Sequence, residues 1–198
     1  MNLAFSTKWP KKMGEMAGQP TFFPEKIWMG SPAPCYLEIL ANHRIDPGLM
    51  ILQKAKIHSI RSGKRWRPGM MIDFWVNMRT KNQFRFAPRV PVVSVQDIQI
   101  IYSDWYPVPG PPDCQDHYER YITVTIDDYH SIVPSDIIQA NWGDEITFEQ
   151  IPRKGTPSGG EEIFKLAVND GFPDAISFFQ WFDSDFEGQI IHWTDLKY

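Results

Sequence analysis

The chain has 198 residues, of which 42% are hydrophobic, 22% charged and 14% aromatic, and its net charge is −4. That composition excludes wholesale disorder, and that length makes one domain with a sizeable core the default. Two cysteines, Cys35 and Cys114, are too few for a disulfide framework, and no Cys-x-x-Cys pair offers a zinc knuckle.

Asn2 to Ser6 reads as a short strand, followed by a Pro- and Gly-marked stretch from Pro10 to Pro24. Pro24 and Glu25 suit the first turn of a helix, so short helices are predicted over 24–29 and 35–43, with Pro47-Gly48 as a turn. Gly30, Pro32 and Pro34 prevent one long helix there. Residues 55–61 read as a strand or its approach, and Pro68-Gly69 as a tight turn. Met70 to Met78, MMIDFWVNM, is nearly all apolar and reads as a buried strand. Thr80 to Gln83 forms a hairpin tip, and Phe84-Arg85-Phe86 starts the return, which Pro88 and Pro91 limit to an edge. Val92 to Tyr102 reads as a long strand, Pro107 to Pro112 as a stiff loop, and Tyr121 to Ile126 as a cleanly alternating strand. Asp127-Asp128 is a turn, with strand pieces through Val133. Helices are predicted at about 161–169 and 173–183, the second with Pro173 in its first turn, and Gly188 to Trp193 closes the fold as a strand. The expected class is α+β, a small curved sheet or open barrel with helices packed at one side.

The apolar run near the start, Leu3-Ala4-Phe5, is too short for the core of a signal peptide. No stretch approaches the roughly 18 apolar residues of a membrane helix, so no membrane partner and a cytoplasmic location are expected. Charge is unevenly placed. Residues 54–89 hold ten cations and one acid, Asp73, which is a net +9 and leaves −13 for the rest. Such a skew points to an anion-binding face and, with Trp66, Trp75, Phe84 and Phe86 interleaved, to RNA or a nucleotide. Arg61, Lys64, Arg65 and Arg67 are the candidate phosphate contacts. Trp66, between two arginines, is the candidate stacking ring.

No phosphate-binding GxxxxGK[ST] loop and no GxGxxG are present. His43, His58, His117, His130 and His192 are scattered, so neither a catalytic metal nor a cofactor is expected. Asp113, Asp116 and Glu119 cluster near His117 and read as a solvated loop.

The densest pattern is KAKIHSIRSGKRWRPGMMIDFW, residues 54–75: a lysine, a hydroxyl residue, an arginine, a cationic loop and then Pro-Gly before a buried strand. Far downstream, LAVNDGFPDAISFFQWF, residues 166–182, places an acid before Gly-Phe and a helix. Together these segments resemble the ASCH family of the PUA-like superfamily. The resemblance rests on Lys56, Ser59, Arg61, Trp66, Pro68 and Gly69, and then on Asp170, Gly171 and Phe172. Three positions depart from the family pattern. Lys54 stands where it has Gly, Met70 where it has Asp, and Asp170 where it has Glu.

The resemblance implies a PUA-like open β-barrel of five to six mainly antiparallel strands with flanking helices. It makes residues 1–198 a single domain with additions near 8–50 and 103–120. It also implies RNA or modified-nucleotide binding in a basic cleft, or a hydrolase: an RNA hydrolase, or an amidohydrolase of the kind that cleaves the acetyl amide of N4-acetylcytidine. The catalytic set implied is Lys56, Ser59 and Asp170. A lysine desolvated among cations has a lowered pKa and acts as a base, a serine attacks the carbonyl, and an acid holds the lysine or protonates the leaving amine. Arg61 would steady an oxyanion or phosphate, or brace the fold through Asp170. Lys56 and Ser59 are three apart and face opposite sides of a regular strand, so they converge only across a bend. His58 would share the Lys56 face.

Overall fold

A computed structural model describes residues 1–31, 54–108, 117–134 and 159–198. The helix expected over 35–43, the Pro47-Gly48 turn, Cys35, His43, Cys114, Asp113, Asp116 and most of the 107–112 loop lie outside the described residues.

The architecture is mixed α+β, with mostly antiparallel sheets and few helices. Strand β1 (Asn2–Phe5) lies parallel to β3 (Met71–Val76), pairing Leu3 with Phe74 and Phe5 with Val76. Two short strands, β4 (Phe84–Arg85) and β5 (Val90–Pro91), pair antiparallel with successive parts of β3. The second sheet is antiparallel throughout. Its order is β10 (Tyr129–Pro134), β9 (Tyr121–Ile126), β6 (Ser94–Tyr102), β11 (Phe186–His192) and β2 (His58–Ser62). A separate ribbon joins β7 (Tyr106–Val108) to β8 (His117–Glu119). Among the described residues no single closed ring of strands links these sheets.

The predicted strands are recovered where alternation or a continuous apolar run decided them. In β9 the side chains of Ile122, Val124 and Ile126 are buried while their neighbours are half-exposed. In β6, Gln96, Ile98 and Ile100 point inward and Asp97, Gln99 and Ile101 outward. The two sheets meet through Phe74 of β3 and Trp193, just after β11, whose rings cross edge-to-face with centroids 5.2 Å apart.

Three helices are described. Helix α1 (Phe23–Met29) carries Pro24 in its first turn and Glu25 beside it, as expected. Helix α2 (Gly159–Asn169) and helix α3 (Ala175–Trp181) follow β10 in the chain. Pro173 is not inside α3. Asp174 is the N-cap, and its carboxylate accepts from the Ser177 N–H at 2.7 Å. A 3-10 segment over Lys11–Met16 was not anticipated from the sequence. Residues 8–31, expected as an addition, are part of the core: Trp9, Met13, Phe23, Ile27 and Trp28 are all buried. Among the described residues no helix is long and apolar enough to cross a membrane.

The end of α1 fixes the approach of the chain to β2. Gly30 donates to the carbonyls of Lys26 and Ile27 at 3.2 and 3.1 Å, closing the helix. A Cβ on Gly30 would collide with the carbonyl oxygen of Lys56. Gly30→Ala is therefore expected to destabilise by about 1–3 kcal/mol, the cost of overpacking a tight contact. Urea denaturation reads this as a lower midpoint, and a wild-type midpoint would mean that the two backbones do not meet.

Candidate active site

Asp170 owes its position to the way α2 ends. Gly171 adopts φ +92, the left-handed conformation that glycine tolerates best. Its N–H donates to Val168 at 2.9 Å, and the N–H of Phe172 reaches back to Ala167 at 3.0 Å. This pair of bonds is the Schellman ending, with Asp170 as the last half-helical residue. The Asp-Gly-Phe sequence is thus a helix stop as well as a site element. It leaves the Asp170 carboxylate 4% exposed, aimed at Lys56.

Lys56 lies just before β2 rather than in it. Its N–H donates to the Lys26 carbonyl at 2.8 Å, and the next N–H, of Ile57, donates to Asn169 at 3.0 Å. Only from His58 does the chain pair with β11. The change of partner between Lys56 and Ser59 breaks strict alternation, and both side chains line one cavity of about 20 Å³. This is the bend that their spacing required.

Lys56 is 2% exposed, and its ammonium contacts both the carboxylate and the carbonyl of Asp170. The same carboxylate accepts from the Ile60 N–H at 3.3 Å. The rings of Phe23 and Phe5 flank the ammonium with centroids at 5.1 and 5.9 Å, within cation–π range. Burial pushes the Lys56 ammonium down to about 8, against the opposing pull of Asp170. Burial also raises the Asp170 carboxyl above the ordinary range, against Lys56 and Arg61. Ser59 is 2% exposed, and its hydroxyl has no hydrogen-bond partner among the described residues.

Arg61 alternates with Ser59 along β2 and lines the same cavity. It does not form the brace to Asp170. One Nη donates to the Ala4 carbonyl at 2.7 Å, and the guanidinium lies over Phe5 with its carbon 4.9 Å from the centroid. Phe5, Arg61 and Trp181 also line a wider groove of about 470 Å³ outside the cavity.

The other sequence-derived candidates are not brought to this site. Trp66 is 2% exposed and packs in the core, with its backbone N–H donating to the Gln189 side-chain oxygen at 2.9 Å, so it presents no face for stacking. Lys64 is exposed but paired with Asp97 at 3.1 Å and Glu187 at 3.0 Å. Arg65 and Arg67 are exposed and have no carboxylate partner among the described residues. His58 does not line the cavity with Lys56. It is fully buried beside His192 and Tyr198, each with its ring centroid 5.4 Å away.

Lys26 was missed. It is a buried lysine of α1 whose ammonium donates to the Gly171 carbonyl at 2.7 Å, and burial lowers its pKa to about 8. Its own carbonyl holds the Lys56 N–H, so one residue ties together the segments carrying Lys56 and Asp170. The sequence offers only a weak signal: Lys26 follows Phe23 by three residues and so shares its helix face. Among the described residues no group of three or more His, Cys, Asp or Glu side chains is placed to hold a metal ion.

No family model matches this chain, and neither a curated protein nor a solved structure does.

Removing one member of a buried pair strands the other charge, which costs about 3–5 kcal/mol. Asp170→Ala is expected to lose that much in urea denaturation. The double variant Lys56→Met/Asp170→Leu, which buries no charge, is expected to recover most of it. A double-variant loss equal to the sum of the losses in Lys56→Met and Asp170→Leu alone would show that the two groups are not coupled.

Proposed function

We propose that this chain is a divergent ASCH-type protein of the PUA-like superfamily that hydrolyses an acyl amide on a nucleoside. The reading rests chiefly on one observation: Ser59 lines the same cavity as the buried Lys56–Asp170 pair. Neutral Lys56 takes the proton of Ser59 as its oxygen attacks the acyl carbon. The C–N bond then breaks, and the proton passes from the Lys56 ammonium to the leaving amine. Water releases the acyl group from Ser59 as a carboxylic acid and restores the hydroxyl. Asp170 orients Lys56 and offsets its charge when protonated. Arg61 stands at the cavity mouth, where it can face the developing oxyanion. The cavity has room for about one water molecule, given ~10–15 Å³ for each. The nucleoside therefore lies outside it, in the groove.

A second reading, RNA or nucleotide binding by the basic segment without turnover, is favoured by Arg65 and Arg67 being exposed without carboxylate partners. It predicts affinity that falls steeply with salt and survives Ser59→Ala.

Release of acetate from N4-acetylcytidine is the direct test. Ser59→Ala and Lys56→Met are each expected to lower kcat/KM at least ~100-fold, the usual scale for a lost general base, with far-UV circular dichroism unchanged. No acetate release by folded wild-type protein sinks the hydrolase reading for that substrate.

The pH profile supplies a second check. Lys56 must lose its proton to act, so the rate should rise with pH through about 8. The positive charge of Lys26 contributes to lowering Lys56, so Lys26→Met should move that limb to higher pH without abolishing it. A limb that stays in place would remove Lys26 from the mechanism.

A further inference from the structure

The groove outside the cavity has a chemistry of its own. Its volume, about 470 Å³, lies within the range of roughly 300–1,000 Å³ typical of small-molecule sites. Lys8 and Arg61 are its charged lining residues, and no carboxylate lines it among the described residues. Lys8 is exposed and has no ion-pair partner among the described residues. Its backbone is held by a bridge to Pro20, and the next residue, Trp9, is anchored in the core. The cation therefore stands on a fixed base.

Arg61 is the joint between groove and cavity. Phe5 fixes the plane of its guanidinium and the Ala4 carbonyl takes one N–H, while its buried Nε has no partner. A guanidinium lining a groove that has no carboxylate among the described residues is suited to an anionic oxygen. Asn77, which also lines the groove, holds a left-handed backbone (φ 53), and its side-chain amide makes only a long contact of 3.5 Å to Asn82. That amide is available to a ligand. Trp181 supplies a half-buried ring braced edge-on by Trp9 and Phe172, with centroids at 6.0 and 5.8 Å. A ring held in this way and lining an open groove is a stacking surface for a base.

We propose that this groove is a nucleoside-monophosphate site, with the base on Trp181 beside the cavity mouth and the phosphomonoester between Lys8 and Asn77. The orientation of the base rests on the hydrolase reading; the phosphate contact does not. A phosphomonoester carries close to two negative charges near pH 7–8, so Lys8 and the Asn77 amide favour it over a neutral nucleoside. The phosphate group belongs either to a free mononucleotide or to the end of an RNA strand, and the groove's dimensions favour the mononucleotide.

The test is isothermal titration of the full chain at low salt with cytidine and with cytidine 5′-monophosphate. The monophosphate is expected to bind at least tenfold tighter, and Lys8→Gln, an exposed substitution, is expected to abolish that preference. Equal affinities for the two ligands, or a preference that survives Lys8→Gln, would overturn the site. A 5′-phosphorylated RNA octamer that binds tighter than the mononucleotide, with the same loss in Lys8→Gln, would keep the phosphate site and assign its source to RNA. The two proposals fail separately. A Lys8-dependent phosphate preference without acetate release from N4-acetylcytidine removes the hydrolase and keeps the site. Acetate release without a phosphate preference does the reverse.

Discussion

The ammonium of Lys56 and the carboxylate of Asp170 are withdrawn from water together, and much of the surrounding structure serves to make that tolerable. Each ion forfeits several kcal/mol of hydration on burial, and their attraction alone does not dependably restore it. Three further contacts help: the Asp170 carbonyl on the ammonium, the Ile60 N–H on the carboxylate, and the faces of Phe23 and Phe5. Two glycines make the approach possible. Gly30 lets the end of α1 touch the Lys56 backbone. A Cβ on Gly171 would come within 3.0–3.1 Å of Phe23 and of the Lys56 side chain. Lys26 links the two segments from below, through its carbonyl on one side and its ammonium on the other. A pair of well-packed apolar residues would hold these elements at least as firmly. The proposed function gives this costly ion pair, beside Ser59, a role that stability alone does not.

The strands with the strongest patterns were legible because burial on one face, or on both, writes itself into the sequence. YITVTI alternates, and MMIDFWVNM does not. The Asp-Gly-Phe segment was legible as a helix stop for the same local reason, since few residues besides glycine accept the backbone that Gly171 adopts. Trp66 shows where local reasoning went astray. Its arginine neighbours suggested an exposed ring, yet Arg65, Trp66 and Arg67 alternate out, in and out as an extended chain does. The two charges marked the outer face and the ring the inner one. Lys26 was hidden differently: a lysine at a core position of a seven-residue helix looks like a surface lysine until the helix is docked. The pairing switch between Lys56 and Ser59 could be required from their spacing but not located by it, because its cause lies in α1 and α2.

The cationic stretch from Lys54 to Arg89 also changes meaning once folded. Counted along the chain it has a single acid, but in space it has several. Asp73 takes Arg85 at 3.4 Å and Arg89 at 2.5 Å, Asp97 and Glu187 take Lys64, and Asp170 takes Lys56. Net charge over a window measures the sequence, not the surface, and sheet pairing brings acids from 97 and 187 against a lysine at 64. The positive field of this segment is therefore smaller than its composition suggests, and Arg65 and Arg67 are what it offers an anion near the β2–β3 turn.

The contrast in size between cavity and groove links these observations. A site built only to hold a nucleic-acid backbone keeps its cations where phosphates arrive, in the open. Here one cation lies in a space of about 20 Å³ with room for roughly a water molecule, while another stands on the rim of a groove more than twenty times larger. Size alone sends the body of any ligand to the groove and only a small reacting group toward the cavity. Phe5, Arg61 and Trp181 belong to both spaces, so a ligand seated in the groove has its near end set against Arg61. In the proposed reaction, positioning of this kind, with the bulk of the ligand held outside and one bond presented to a desolvated base, would supply much of the advantage an enzyme has over free reactants. Lys8 lines the groove alone, Lys56 the cavity alone, and Arg61 both.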